Sequence, residues 1–96
     1  MSAHPEIDIV RTPHRFELRV DGELAAYADY VGSADVIELP HTVTQPKFRG
    51  RGLAAILVEH ILDHVSAAQA TVVASCSYVS HFIDQHPQYE HLLAPK

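Results

Sequence analysis

A mixed α/β fold is what this sequence predicts, on three observations. Residues 15 to 21 alternate apolar and charged side chains, residues 51 to 68 carry apolar side chains at helical spacing, and a β-branched run follows at 71 to 75. A helix between two strands returns the chain parallel to the strand it left, so residues 36 to 76 read as a β-α-β unit.

Phe16, Leu18 and Val20 share one face of the first strand, with Arg15, Glu17, Arg19 and Asp21 on the other. Asp21-Gly22 is a hairpin turn, and residues 24 to 31 return as a second strand. A turn at 32 to 35 leads into a third strand, 36 to 43, in which Ile37, Leu39, His41 and Val43 share a face by alternation. His41 is therefore expected to point with the core residues. Pro40 lacks an N–H, which predicts a bulge, an edge or a break in the ladder there.

The helix places Ala54, Leu57, Val58, Ile61, Leu62, Val65 and Ala68 on its core face, and Glu59, His60, Asp63 and His64 on the face expected to be solvated. Residues 78 to 86 and 88 to 93, separated by Pro87, predict two short helical pieces.

The 96 residues, with no long linker, predict one small domain. A net charge of −5 argues against a nucleic-acid surface, because neutralising phosphates needs excess Lys and Arg. One cysteine excludes an internal disulfide, the N-terminus lacks secretory-signal regions, and no apolar run approaches the roughly 20 residues that span a bilayer. The expectation is a cytoplasmic protein without membrane insertion. An exposed face of residues 24 to 31 could serve a homodimer.

Basic charge concentrates at Lys47, Arg49 and Arg51, interleaved with Gly50 and Gly52 where extended chain becomes helix. Glycine allows positive φ and close backbone approach, and the first N–H groups of a helix are unpaired at the positive end of its dipole, so this run suits a phosphate. The spacing is neither a nucleotide P-loop nor a dinucleotide fingerprint. A bare basic turn is the alternative for the run alone.

The pieces H-T-V-T-Q-P-K-F-R-G-R-G-L-A (41 to 54), V-V-A-S-C-S-Y-V (72 to 79) and H-P-Q-Y (86 to 89) resemble the small single-domain acetyltransferases of the GNAT superfamily. The resemblance covers most of the chain. It implies a mixed, mostly antiparallel sheet carrying a β-α-β acyl-coenzyme A unit, with acetyl-coenzyme A as cofactor. The pyrophosphate would lie on the backbone of Arg49, Gly50, Arg51, Gly52, Leu53 and Ala54, and the pantetheine arm beside Thr42, Val43 and Thr44. Lys47 stands where the superfamily usually has Gln or Arg, and Ser77 where the small subfamily typically has proline.

Acetyl transfer to an amine needs a base, a polarised thioester carbonyl and a proton for the leaving thiolate. His41 is the candidate base, against a structural core histidine. Backbone N–H groups near Val43 are expected to polarise the carbonyl. Cys76, at a strand end before a helix, could accept the acetyl group or protonate the thiolate, against a small buried residue. Tyr78 is a second proton donor, against an ordinary tyrosine. His60 and His64, at i and i+4, could share a metal ion, but a solvated helix face accounts for them and no metal is expected. The expected function is acetyl-coenzyme A-dependent N-acetylation of a small-molecule or peptide amine. The alternatives are a coenzyme A-binding module with little catalysis and a site for an unrelated phosphorylated ligand.

Overall fold

The computed structural model describes residues 6 to 33 and 35 to 94. Seven strands, two α-helices and two 3₁₀ turns follow in the order β1 (Ile7–Arg11), β2 (Arg15–Val20), β3 (Glu23–Asp29), β4 (Val31–Gly32), β5 (Val36–Glu38), β6 (Thr42–Thr44), the 3₁₀ turn Pro46–Phe48, α1 (Leu53–Ala67), β7 (Thr71–Val73), α2 (Ser77–Gln85) and the 3₁₀ segment Pro87–Leu92.

The alternation of β2 buries Phe16, Leu18 and Val20 as expected, and Asp21 and Gly22 both take positive φ in the hairpin that joins it to β3. A bulge leaves Ala25 outside the register between Leu18↔Ala26 and Arg19↔Leu24, so Ala25 and Ala26 are both buried. β3 is an interior strand, and the exposed face expected over 24 to 31 reduces to Val31 beyond its end. β1 was not signalled by pattern, because on this edge strand only Ile9 is half-buried.

The stretch 36 to 43 does not form one strand. Its first part, β5, runs parallel to β7 in a three-stranded sheet ordered β4-β5-β7. Its second part, β6, pairs antiparallel with β3 at the edge of a four-stranded sheet ordered β1-β2-β3-β6. Pro40 lies in the gap, where a residue without an N–H costs no ladder bond. The two sheets therefore part between β6 and β7, and α1 provides the crossover from one to the other.

Leu57, Val58, Ile61, Leu62 and Val65 of α1 are fully buried against the sheets in one continuous core. The helix starts two residues later than its apolar period suggested, because Gly52 has φ of 72°, which cannot continue a right-handed helix. His64 departs from the solvated face expected for it. Its ring meets Phe16 edge-on at 5.7 Å between centroids and accepts from Arg11 Nη1 at 3.3 Å, because the short β1–β2 connection brings Arg11 over the helix.

Candidate active site and cofactor cleft

The loop before α1 is anchored in the core by Phe48 and open beside its glycines. Phe48 is buried, its N–H donates to Gln45 O at 2.9 Å, and Arg49 N–H donates to Pro46 O at 3.3 Å. Gly50 and Gly52 then take φ of 83° and 72°, and a Cβ at either would meet no protein atom within 4 Å. Glycine is needed there for its backbone angle, and the space beside each is open to a ligand. Gly52 is the N-cap of α1 without a side-chain cap, and no acidic residue occupies the first turn, so the amides at the helix start are not neutralised from within.

A cavity of about 200 Å³ sits on this loop, lined by Thr44, Phe48, Arg49, Gly50, Gly52, Leu53, Ala54 and Tyr78. These include six of the nine residues expected to hold the cofactor. Tyr78, expected to donate a proton, stands in its wall, with burial pushing its phenol above the ordinary range. A second cavity of about 340 Å³ continues along the groove between α1 and α2 and shares Tyr78 with the first. Its lining combines the apolar Ile56 and Phe82 with the polar Glu59 and His81.

The three loop cations do not all face an anion. Lys47 Nζ bonds both carboxylate oxygens of Glu23, at 2.8 and 2.9 Å, and the Arg51 guanidinium lies 5.3 Å from the Phe48 ring centroid. Arg49 makes no ion pair among the described residues and lines the cavity.

The free edge of β6 faces the parting of the sheets. Gln45 N–H donates to Ala25 O, and with Tyr27 opposite Val43 the hydrogen-bonding pairs fall at odd positions. Val43 therefore turns its N–H to β3, while Thr42 and Thr44 turn theirs to the gap. The donors expected near Val43 are thus narrowed to its two neighbours, Thr42 and Thr44, while the Val43 amide itself is used within the sheet.

Across the gap, Cys76 lies three residues beyond β7 at the N-cap of α2, its N–H donating to Leu39 O at 2.9 Å. The buried thiol lies 3.8 Å from Thr42 Oγ1. Burial alone would push its pKa up, but the Val79 N–H, the Thr42 hydroxyl and the amides of Tyr78 and Thr42 together bring it below the ordinary thiol value.

His41 is not in the core. Its side chain is 61% exposed, because alternation does not carry across the break at Pro40 into a strand of another sheet. It stands at the N-terminal edge of β6 with Nε2 2.7 Å from Asp29 Oδ2. A further pair lies beside the gap, where Ser75 Oγ donates to Glu38 Oε2 at 2.6 Å. Asp29, Glu38, Ser75 and Phe48 were missed from sequence. Only Phe48, an apolar residue amid loop cations, carried a local signal; the others acquire partners 12 or more positions away.

Comparison with known proteins bears on the family and the fold. The family model of the GCN5-related N-acetyl-transferase matches residues 15 to 92. Protein NATD1 of Bos taurus is 30% identical over 90 residues, covering 88% of this chain and 79% of that protein. The solution structure of a GCN5-like protein from Staphylococcus aureus superposes with a TM-score of 0.69 at 20% identity, covering 93% of this chain and 89% of the other. N-acetylglutamate synthase from Neisseria gonorrhoeae, solved with coenzyme A, superposes with a TM-score of 0.56 at 16% identity over 88% of this chain and 26% of its own. With a family match that runs from β2 through the last 3₁₀ segment, and so takes in the glycine loop, the parted strands and Cys76, the chain belongs to the GCN5-related N-acetyltransferase family.

Proposed function

We propose that this chain transfers an acetyl group from acetyl-coenzyme A to an amine carried by a small molecule or peptide. The observation that carries the reading is the continuity of the uncapped helix start and glycine loop with the gap that separates β6 from β7. The cofactor supplies an activated thioester; the chain binds it, orients it and moves the protons.

The amides of Gly50 to Ala54 and the Arg49 guanidinium would hold the pyrophosphate. The groove lined by Ile56 and Phe82 would receive the adenosine end. Thr42 and Thr44 would pair with the pantetheine arm as an added strand, and their gap-facing N–H groups would polarise the thioester carbonyl. His41 would take the proton of the attacking amine. Cys76, 3.8 Å from Thr42 Oγ1 across the gap, or Tyr78, in the wall of the adjoining cavity, would return a proton to the leaving thiolate. Attack by Cys76 itself, giving an acetyl-cysteine, is the less direct route, since Cys76 is buried. A cytoplasmic location, where a lone thiol stays reduced, is part of this reading.

One observation favours a second reading, a coenzyme A-binding module. β1 and β2 are joined by only Thr12, Pro13 and His14, so no helix from that connection walls an amine site on the sheet. Calorimetry with acetyl-coenzyme A, followed by amine-dependent thiol release, separates the two. Micromolar binding that disappears in Gly52→Asp, with thiol release that falls in His41→Ala, is expected for the enzyme. Binding without release on any amine would leave the module, and no wild-type binding would remove both.

A further inference from the structure

Asp29 has an arrangement that the proposed reaction leaves unused. It ends β3 on the sheet face that α1 does not cover, opposite Arg15 in the register. Its Oδ2 lies 2.7 Å from His41 Nε2 and its Oδ1 lies 3.4 Å from Arg15 Nε. The Arg15 guanidinium in turn sits 4.1 Å from the Tyr27 ring centroid. Tyr27, Asp29, Arg15 and His41 thus form one chain of contacts along that face, ending where β6 meets the gap.

His41 needs such a partner. A ring 61% exposed has little packing to choose its rotamer, and Asp29 is its only polar side-chain contact among the described residues. An ionised carboxylate can only accept, so the contact puts a proton on Nε2, and in the neutral ring that leaves the lone pair on Nδ1. The contact therefore selects both the orientation of the ring and the atom that can receive a proton. As a stabilising surface pair it would contribute only about 0–1 kcal/mol.

We propose that Asp29 is a positioning residue, holding His41 in the Nε2–H tautomer with Nδ1 turned to the incoming amine. The inference rests on His41 acting as the base. The amine's proton passes to Nδ1, the nitrogen lone pair forms the new C–N bond as the C–S bond breaks with its electron pair on the coenzyme A sulfur, that thiolate takes a proton from Cys76 or Tyr78, and Asp29 does not touch the reacting atoms.

Two readouts on the 96-residue chain test this. In ¹⁵N-histidine spectra the wild-type His41 ring should show Nδ1 unprotonated and Nε2 protonated, and Asp29→Asn should lose that preference; a tautomer mixture in wild type that Asp29→Asn does not alter would overturn the proposal. This arm needs no amine and decides the matter alone if no probe amine is turned over. In thiol-release assays with spermidine and an alanine-initiated tripeptide as probes, Asp29→Asn should lower kcat by roughly 10- to 100-fold, part of the 10²–10⁴ a general base contributes. The acetyl-coenzyme A Kd should stay within about two-fold, and Asp29→Glu should recover most of the rate. Wild-type kcat in Asp29→Asn, with loss in His41→Ala, would sink the proposal and leave the base. Wild-type kcat in both variants would remove the base itself, and this inference with it.

Discussion

At the residue scale, the behaviour of Cys76 depends on which of two opposed effects prevails. Burial disfavours the thiolate, yet the amides of α2 and the Thr42 hydroxyl more than offset it, and the net direction is downward. Alkylation by iodoacetamide, followed across pH in mildly loosening conditions, should therefore show a midpoint below that of a free cysteine. Thr42→Val removes one donor and should move the midpoint up; an unchanged midpoint would mean the hydroxyl does not reach the sulfur. Gly52 carries a second prediction. Any L-residue there takes φ near 72° at a cost of roughly 1–2 kcal/mol. Gly52→Ala should thus lower stability by that amount in urea titration, with a smaller loss of acetyl-coenzyme A affinity than Gly52→Asp, which adds a negative charge beside the pyrophosphate.

At the element scale, the C-terminal 3₁₀ segment is tied to α1 by Tyr89, whose hydroxyl donates to Asp63 Oδ1 at 2.8 Å. Burial, that hydrogen bond and the nearby charges of Asp63 and Glu59 push the Tyr89 phenol up to about 12. The folded state thus holds this proton more tightly than the unfolded chain, whose tyrosine titrates near 10. The resulting stabilisation is fully present below about pH 10 and is lost as pH rises towards 12. Tyr89→Phe should cost on the order of 1 kcal/mol at neutral pH, with the difference from wild type shrinking above about pH 10. A constant difference across that range would show that the hydroxyl is not the source. Lys47→Ala, which breaks an exposed pair with Glu23, should by contrast change stability by less than about 1 kcal/mol.

At the scale of the whole molecule, one core of sheet and α1 residues holds the two sheets at the separation the gap requires. Leu57 and Ile61 are fully buried in it, and a chain of this size has a small margin of stability. Leu57→Ala should cost roughly 2–5 kcal/mol and lower the urea midpoint sharply. Because the gap is a consequence of packing, binding of acetyl-coenzyme A should fall together with folding in that variant, whereas Gly52→Asp should lose binding with a cooperative transition retained.

The elements legible from local pattern alone are β2, its Asp21-Gly22 hairpin, the buried face of α1, and the glycine loop with its helix start. Alternation and helical spacing report which side chains share a face, and glycine at 50 and 52 permits the positive φ found there, so no distant contact was needed. The rest depends on contacts between residues far apart in the chain. Alternation through 36 to 43 assumed one strand, but Pro40 lets its halves join different sheets, and His41 moved from the core to solvent. The partnerships of His41 with Asp29, Ser75 with Glu38 and Cys76 with Thr42 span 12, 37 and 34 positions. Contacts at such separations depend on strand register and on how the sheets part, which no local window of sequence records.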